Sequence, residues 1–210
     1  MTDRRITPIS QRKQPRQARS TELVAVILEA AVQVLAQEGV RRFTTARVAE
    51  KAGVGVGSLY QYFPNKAAIL FRLQSDEWRQ TANLLRDILE DTRKPPLGRL
   101  RSLVHAFLRS ECEEAAMRVA LNDAAPLYRD APEAQEARSR GDGIFKNFMT
   151  EALPKAPDAT RTLAGELLWT TLRTVGKQFS QTPRLPAEID AYAEAMADMF
   201  GAYLGSLGRG

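Results

Sequence analysis

Thr44-Thr-Ala-Arg-Val-Ala-Glu-Lys-Ala-Gly-Val-Gly-Val-Gly-Ser-Leu-Tyr-Gln-Tyr-Phe63 reads as two short helices joined by a sharp turn. Thr44 or Thr45 can cap a helix from about 45 to 52, its hydroxyl accepting an otherwise unpaired backbone N–H. Gly53 supplies the left-handed residue that the turn requires, and a second helix follows from about 56 to 62. Val48 and Ala49 face inward, Val54 and Leu59 plug the angle between the helices, and Phe63 anchors the second helix to the long helix before it. Ala46, Arg47, Val56, Gly57, Ser58, Tyr60, Gln61 and Tyr62 are left exposed, a surface of small, hydroxyl, aromatic and amide groups. A helix carrying such a surface can enter a DNA major groove about 12 Å wide while its flanks touch the backbone. A hairpin packed inside an unrelated helical protein has no use for two exposed tyrosines around a glutamine.

Working outward, Leu23, Ile27, Ala30, Ala31, Val34 and Leu35 form one helical stripe from Thr21 onward, stopped by Gly39. Residues 1–20 carry Arg4, Arg5, Arg12, Lys13, Arg16 and Arg19 with little apolar periodicity, and are expected to be a flexible basic arm. Such an arm is either a solvated tail or one whose arginines reach phosphates or a minor groove. Pro64 and Asn65 punctuate the chain before a long helix from about Lys66 to Asp91. Breaks follow at Pro95, Pro96, Pro126, Pro132, Pro154, Pro157, Pro183 and Pro186, with helix-forming segments between them and no period-two strand. The fold class is therefore all-α, with about nine helices. The expected division is an arm over 1–20, a DNA-binding domain over 21–66 and a second helical domain over 67–210.

Charge supports that division. Residues 1–66 hold 11 basic and 5 acidic residues, net +6, whereas residues 67–210 are net −1. Basic density beside a nearly neutral remainder suits a module that meets a polyanion, because neutralising phosphates releases counterions. Cys112 is the single cysteine and His105 the single histidine, so an internal disulfide and a Cys/His zinc site are both excluded, and a reducing cytoplasm is the expected setting. No cofactor or metal is implied. The apolar runs look too interrupted for a membrane span, which needs about 18 residues. A hydrolase or transferase would need a nucleophile, a base and an orienting group in one cleft, and no such set accompanies the motif.

The stretch around 44–63, with the capped helix before it, resembles the DNA-binding domain of the TetR family of transcriptional regulators. The likeness spans about residues 21–72 and includes the Thr-Thr opening, Val48-Ala49, Ala52-Gly53-Val54, Gly57-Ser58-Leu59-Tyr60, Phe63 and Lys66. It implies a homodimeric repressor whose ligand-binding domain follows the helix-turn-helix, released from a palindromic double-stranded DNA operator by a small molecule. By position it implies that Thr45, Tyr60, Tyr62 and Lys66 hold the DNA backbone, with Thr44 and Ala46 also on the DNA-binding face. Arg47, Val56, Gly57, Ser58 and Gln61 are then the candidates for base readout. Glutamine can pair with adenine, arginine with guanine, and valine can meet a thymine methyl. Gly55 stands where the family often has a serine cap and Val56 where a polar residue is common, so readout here leans apolar or on DNA shape.

The same resemblance implies that the last two helices pair with their copies across a twofold axis. Leu167, Leu168, Leu172, Val175 and Phe179 on one, with Tyr192, Met196, Met199, Phe200 and Tyr203 on the other, are the candidate interface. Dimerisation also has a physical motive, since two half-sites about 34 Å apart roughly double the specific binding energy. The candidate ligand pocket lies among the middle helices, with His105, Phe107, Met117, Phe145, Phe148 and Trp169 as its walls and an apolar or aromatic ligand as its expected occupant. Glu111, Glu113 and Glu114 around Cys112 would raise its thiol pKa and disfavour redox sensing.

Overall fold

The computed structural model describes residues 9, 10, 12, 18–139 and 142–208. Among these there is no strand. The elements run α1 (Ala18–Arg42), α2 (Thr45–Lys51), α3 (Val56–Tyr62), α4 (Lys66–Leu89), α5 (Pro96–Glu113), α6 (Ala115–Ala124), a 3-10 turn (Ala125–Leu127), α7 (Pro132–Ser139), α8 (Asp142–Ala152), α9 (Asp158–Phe179) and α10 (Pro186–Leu207). Prolines punctuate as expected: α5, α7 and α10 start on one, where a fixed φ and a missing N–H cost nothing. Glu188 reaches back to accept the Leu185 N–H at 2.8 Å and closes the start of α10. Gly39 breaks α1 with φ +70°, although a further helical turn carries on to Arg42.

The chain forms two compact units, and neither matches a cut at 66/67. Unit one is Met1–Arg79 with Ala116–Ser139; unit two is Gln80–Ala115 with Arg140–Gly210. The difference has a packing cause. Ala67, Ala68, Ile69, Leu70 and Leu73 of α4 share one core with Ile27, Ala31, Val34 and Leu35 of α1. Leu121, Ala124, Tyr128, Ala131 and Ala134 complete that core from the 116–139 segment. There the Tyr128 hydroxyl donates to the Leu121 carbonyl at 3.0 Å, and Arg118 pairs with Glu77 at 3.1 Å, both side chains mostly buried.

One expectation about α1 is corrected. Arg19–Arg42 is long and apolar enough to cross a bilayer, with a mean hydropathy of 1.6 over its best window. Its inner face is nonetheless committed to protein, because Val24, Ile27, Ala30, Ala31, Val34 and Leu35 are buried in unit one. That is how the core helix of a globular unit behaves.

In unit two, α5 packs against α8, α9 and α10. Two glycines of α9 set the closeness: a Cβ on Gly176 would lie 3.0 Å from Phe107, and one on Gly165 would lie 3.1 Å from Met149. Along the outer edge of α5, Arg101 pairs with Glu194 and Asp198, His105 with Glu194 at 2.9 Å, and Arg109 with Asp190 at 2.9 Å. These pairs are largely exposed, so each contributes little.

Arg99 is different, being only 1% exposed. Its Nη1 donates to the Leu89 carbonyl at the end of α4 (2.5 Å), its Nη2 pairs with Glu151 of α8, and its guanidinium lies 5.8 Å from the Phe148 ring. One cation thus ties three helices. Arg99→Leu strands the Leu89 carbonyl and should lower stability by about 2–3 kcal/mol. Glu151 is about half exposed, and Glu151→Gln should cost under about 1 kcal/mol. Urea denaturation curves compare the two; equal losses would contradict the assignment of the α4 cap to Arg99.

Candidate nucleic-acid interface

Burial assembles the helix pair. Phe43, Val48, Ala49, Leu59 and Phe63 have no solvent exposure, and Val54 packs against the same core. Thr44 caps α2, its hydroxyl accepting the Arg47 N–H at 3.2 Å. The turn is held by Ala52, Gly53 and Val54, whose amides donate to the carbonyls of Val48, Glu50 and Ala49 at 2.9, 3.1 and 3.0 Å. Gly53 has φ +65°, and a Cβ there would meet nothing within 4 Å. The demand for glycine is therefore one of backbone conformation, not of space. Gly55 stands at the N-cap of α3 with no side-chain cap, as its departure from serine implies, while its carbonyl accepts the Ser58 N–H at 2.9 Å.

The solvent side of this pair brings most of the sequence-derived contact residues together. Ala46, Val56, Gly57, Tyr60 and Gln61 are exposed, and Ser58 is half-buried. Thr45 Oγ1 and the Tyr60 hydroxyl share a hydrogen bond of 3.0 Å, which clasps the start of α2 to the middle of α3. Arg47 is ion-paired with Glu38 of α1, so the guanidinium expected to read guanine is held from behind. The sequence reading did not single out Glu38. Lys66 is the first residue of α4, and Asn65 caps that helix through its side-chain oxygen, which accepts the Ala68 N–H at 2.9 Å.

Tyr62 departs from expectation. It is 5% exposed and belongs to the core of unit one, so its ring does not stand on the outer face. The arm over 1–20 also departs at its described positions: Ile9 is buried, and the Arg12 backbone N–H donates to the Tyr62 carbonyl at 2.8 Å. Arg4, Arg5, Lys13 and Arg16 lie outside the described residues.

The expected pocket residues divide. In unit two Phe107 and Trp169 meet edge to face at 5.8 Å, Phe145 and Trp169 lie 5.4 Å apart, and Phe148 joins Phe145 at 6.5 Å. Met117 does not join them; it packs on the core of unit one. His105 also stands apart, half-buried on the α10 side of α5, with Nε2 against Glu194. The hydrogen bond from His105, and next that from Arg101, holds the Glu194 carboxyl below the usual carboxylate range. A groove of about 320 Å³ between α5 and α10 is lined by Leu97, Gly98, Arg101, Ala197, Asp198, Gly201 and Ala202, none of them an expected pocket residue. Burial, and then the Glu111 charge, pushes the Cys112 thiol up, away from a reactive thiolate. No group of three His, Cys, Asp or Glu side chains able to hold a metal occurs among the described residues.

The expected interface row divides as well. Leu168, Leu172, Met196 and Phe200 are buried in the core of unit two, and Val175, Phe179 and Tyr203 are half-buried against it. Leu167, Tyr192 and Met199 face solvent, as does Leu163, which the candidate interface omitted. Phe179 stacks on Tyr192 with centroids 4.2 Å apart.

Gly53→Ala should cost about 1–2 kcal/mol, the penalty for a left-handed alanine, and Thr44→Ala about 1 kcal/mol for the lost cap. Thermal unfolding of the two variants measures both. A neutral Gly53→Ala would mean that the turn does not depend on the left-handed residue.

Comparison with known proteins places these features. Residues 27–73 match the family model described as bacterial regulatory proteins, tetR family. Residues 95–207, more than half of the chain, match the one described as tetracyclin repressor-like, C-terminal domain. A nucleoid occlusion factor, SlmA, of Vibrio campbellii is 29% identical over 126 residues, 60% of this chain and 62% of its own. The fatty acid metabolism regulator protein of Bacillus subtilis is 39% identical over 54 residues, 26% of this chain and 28% of its own. The chain thus spans less than two thirds of the length of either relative. The structure of the fatty acid degradation regulator FadR from Bacillus halodurans superposes with a TM-score of 0.65 at 17% identity, covering 89% of this chain and 96% of that one.

Proposed function

Because the chain belongs to the tetR family of bacterial regulatory proteins, DNA-binding transcription regulators and not enzymes, we propose that it is a homodimeric repressor released from a palindromic operator by a small apolar or aromatic ligand. The observation that carries the reading is the outer face of α3. Val56, Gly57, Tyr60 and Gln61 stand exposed on a helix whose opposite side is wholly buried, and Thr45 locks Tyr60 in place. Gln61 reads adenine, Val56 meets a thymine methyl, and Tyr60, Thr45 and Lys66 position the helix on the backbone. The start of α4 supplies a partial positive charge to the phosphate that Lys66 holds.

The outward rows of α9 and α10 support the homodimer. Leu163 is 63% exposed, Leu167 49% and Met199 52%, a set of large apolar side chains that a second copy would cover. The cluster of Phe107, Phe145, Phe148 and Trp169 supports the ligand class, since an apolar molecule entering there exchanges one set of ring contacts for another. Residues of α4 belong to both units, so a ligand that shifts its C-terminal part changes how the two recognition helices are presented. A coupling of about 1–3 kcal/mol gives roughly 5- to 150-fold relief of repression.

Band shifts on the DNA flanking the chain's own gene test the reading. Lys66→Ala should weaken specific and non-specific duplexes alike and lower the salt slope by about one unit. Gln61→Ala should relax preference at one base pair, at a cost of about 1–3 kcal/mol there. If wild-type protein shows no sequence-dependent retardation at physiological salt, the repressor reading fails. Separately, Leu167→Glu combined with Met199→Glu should convert a dimer to a folded monomer in sedimentation; an unchanged mass would remove α9 and α10 from the interface.

A further inference from the structure

A short helix ends in carbonyl groups with no partner inside it, and something else must satisfy them. At the C-terminal end of α3 that partner comes from some fifty residues upstream. The Arg12 backbone N–H donates to the Tyr62 carbonyl at 2.8 Å, and Arg12 Nη1 donates to the Tyr60 carbonyl at 3.5 Å. Ile9, 2% exposed, is buried in the same core as Leu59, Tyr62 and Phe63. Ser10 donates from its hydroxyl to Glu133 of α7 at 2.7 Å. A solvated arm makes none of these attachments.

We propose that the segment anchored at Ile9 and Arg12 is a strap that holds the end of the recognition helix and presents the Arg12 guanidinium beside Tyr60 as a further phosphate contact. The inference rests on the DNA-binding role of α3 and adds a contact that the motif itself does not contain. Arg12 is exposed, and a guanidinium has five N–H donors in a fork suited to phosphate oxygens. The Tyr60 carbonyl engages one of its nitrogens. The same cation sits at the end of α3 where the helix dipole favours positive charge. An arginine tethered in this way loses less freedom on binding than one on a loose arm, so its contact is made at lower entropic cost.

The test uses the full chain and the duplex it selects from a random-sequence pool. In the wild-type protein the Arg12 amide should exchange with solvent at least tenfold more slowly than in an unstructured peptide. Arg12→Ala, which keeps the backbone donor, should retain that protection. It should still weaken DNA binding several-fold and lower the salt slope by about 0.9, the value of one phosphate contact. Ile9→Asp should lose both the protection and the affinity, and Ile9→Leu should restore both. An unprotected Arg12 amide overturns the strap. An unchanged salt slope and affinity in Arg12→Ala overturn the phosphate contact. Should the wild-type chain select no duplex, the DNA reading fails first, and the exchange rate of Arg12 still decides whether the strap exists.

Discussion

A helix of seven residues is not stable alone in water, because nucleation costs more than so few hydrogen bonds return. The recognition helix α3 has that length, so it exists only through the burial of Leu59 on its inner side and of Phe63 just beyond its end. Everything nearby serves that constraint. Val48 and Ala49 give α2 a face narrow enough to cross α3 closely, and the left-handed Gly53 lets the two helices meet across four residues. With no serine at Gly55 to cap its start, α3 relies more heavily on its far end. There the Phe63 amide donates to the Leu59 carbonyl, and Arg12 meets two others. Function follows from the same economy. A helix held wholly from one side has its other side free, and that free side carries Val56, Gly57, Tyr60 and Gln61.

The boundaries of these elements were legible because proline, glycine and hydroxyl caps mark them. Facing was less legible. At about 100° per residue, Tyr60 and Tyr62 point in nearly opposite directions on one helix, so both cannot serve an outer surface. The structure resolves this with Tyr60 out and Tyr62 in. The stripes on α9 and α10 fail in the same way. Leu167 and Leu168 are one step apart, and so are Met199 and Phe200; a row read from spacing alone merges a core-facing line with an outward one. Ile9 left a fainter trace, an aliphatic residue just after Pro8 in a mostly polar segment. Composition classified that segment as arm because one buried side chain does not change an average.

Met117 shows a different limit. Between α5 and α6 there is no proline or glycine, only Glu114, yet the chain leaves unit two after Ala115. Local signals describe how the backbone turns and say nothing about which core an apolar side chain joins. Met117 and Phe107 are ten residues apart and end in separate cores, whereas Phe107 and Trp169, sixty-two residues apart, touch. Partition between cores is decided by tertiary packing, which no window of sequence contains.

That partition bears on how the chain connects the two units. The chain passes between the units three times, within α4 after Arg79, at Ala115–Ala116 and at Ser139–Arg140. A division at 66/67 would leave a single covalent link between the two parts of the chain. The observed one supplies three, and two of them bracket the 116–139 segment that builds part of the core holding α1 and α4. Arg99 adds to this, because the cation that caps the last turn of α4 also faces Phe148 of the aromatic cluster. The Phe148 ring and the end of α4 are thus joined through one side chain of unit two. Because Arg99 is buried and its Nε already lacks a partner, moving its Nη1 away from the Leu89 carbonyl would leave a further buried polar group unmet.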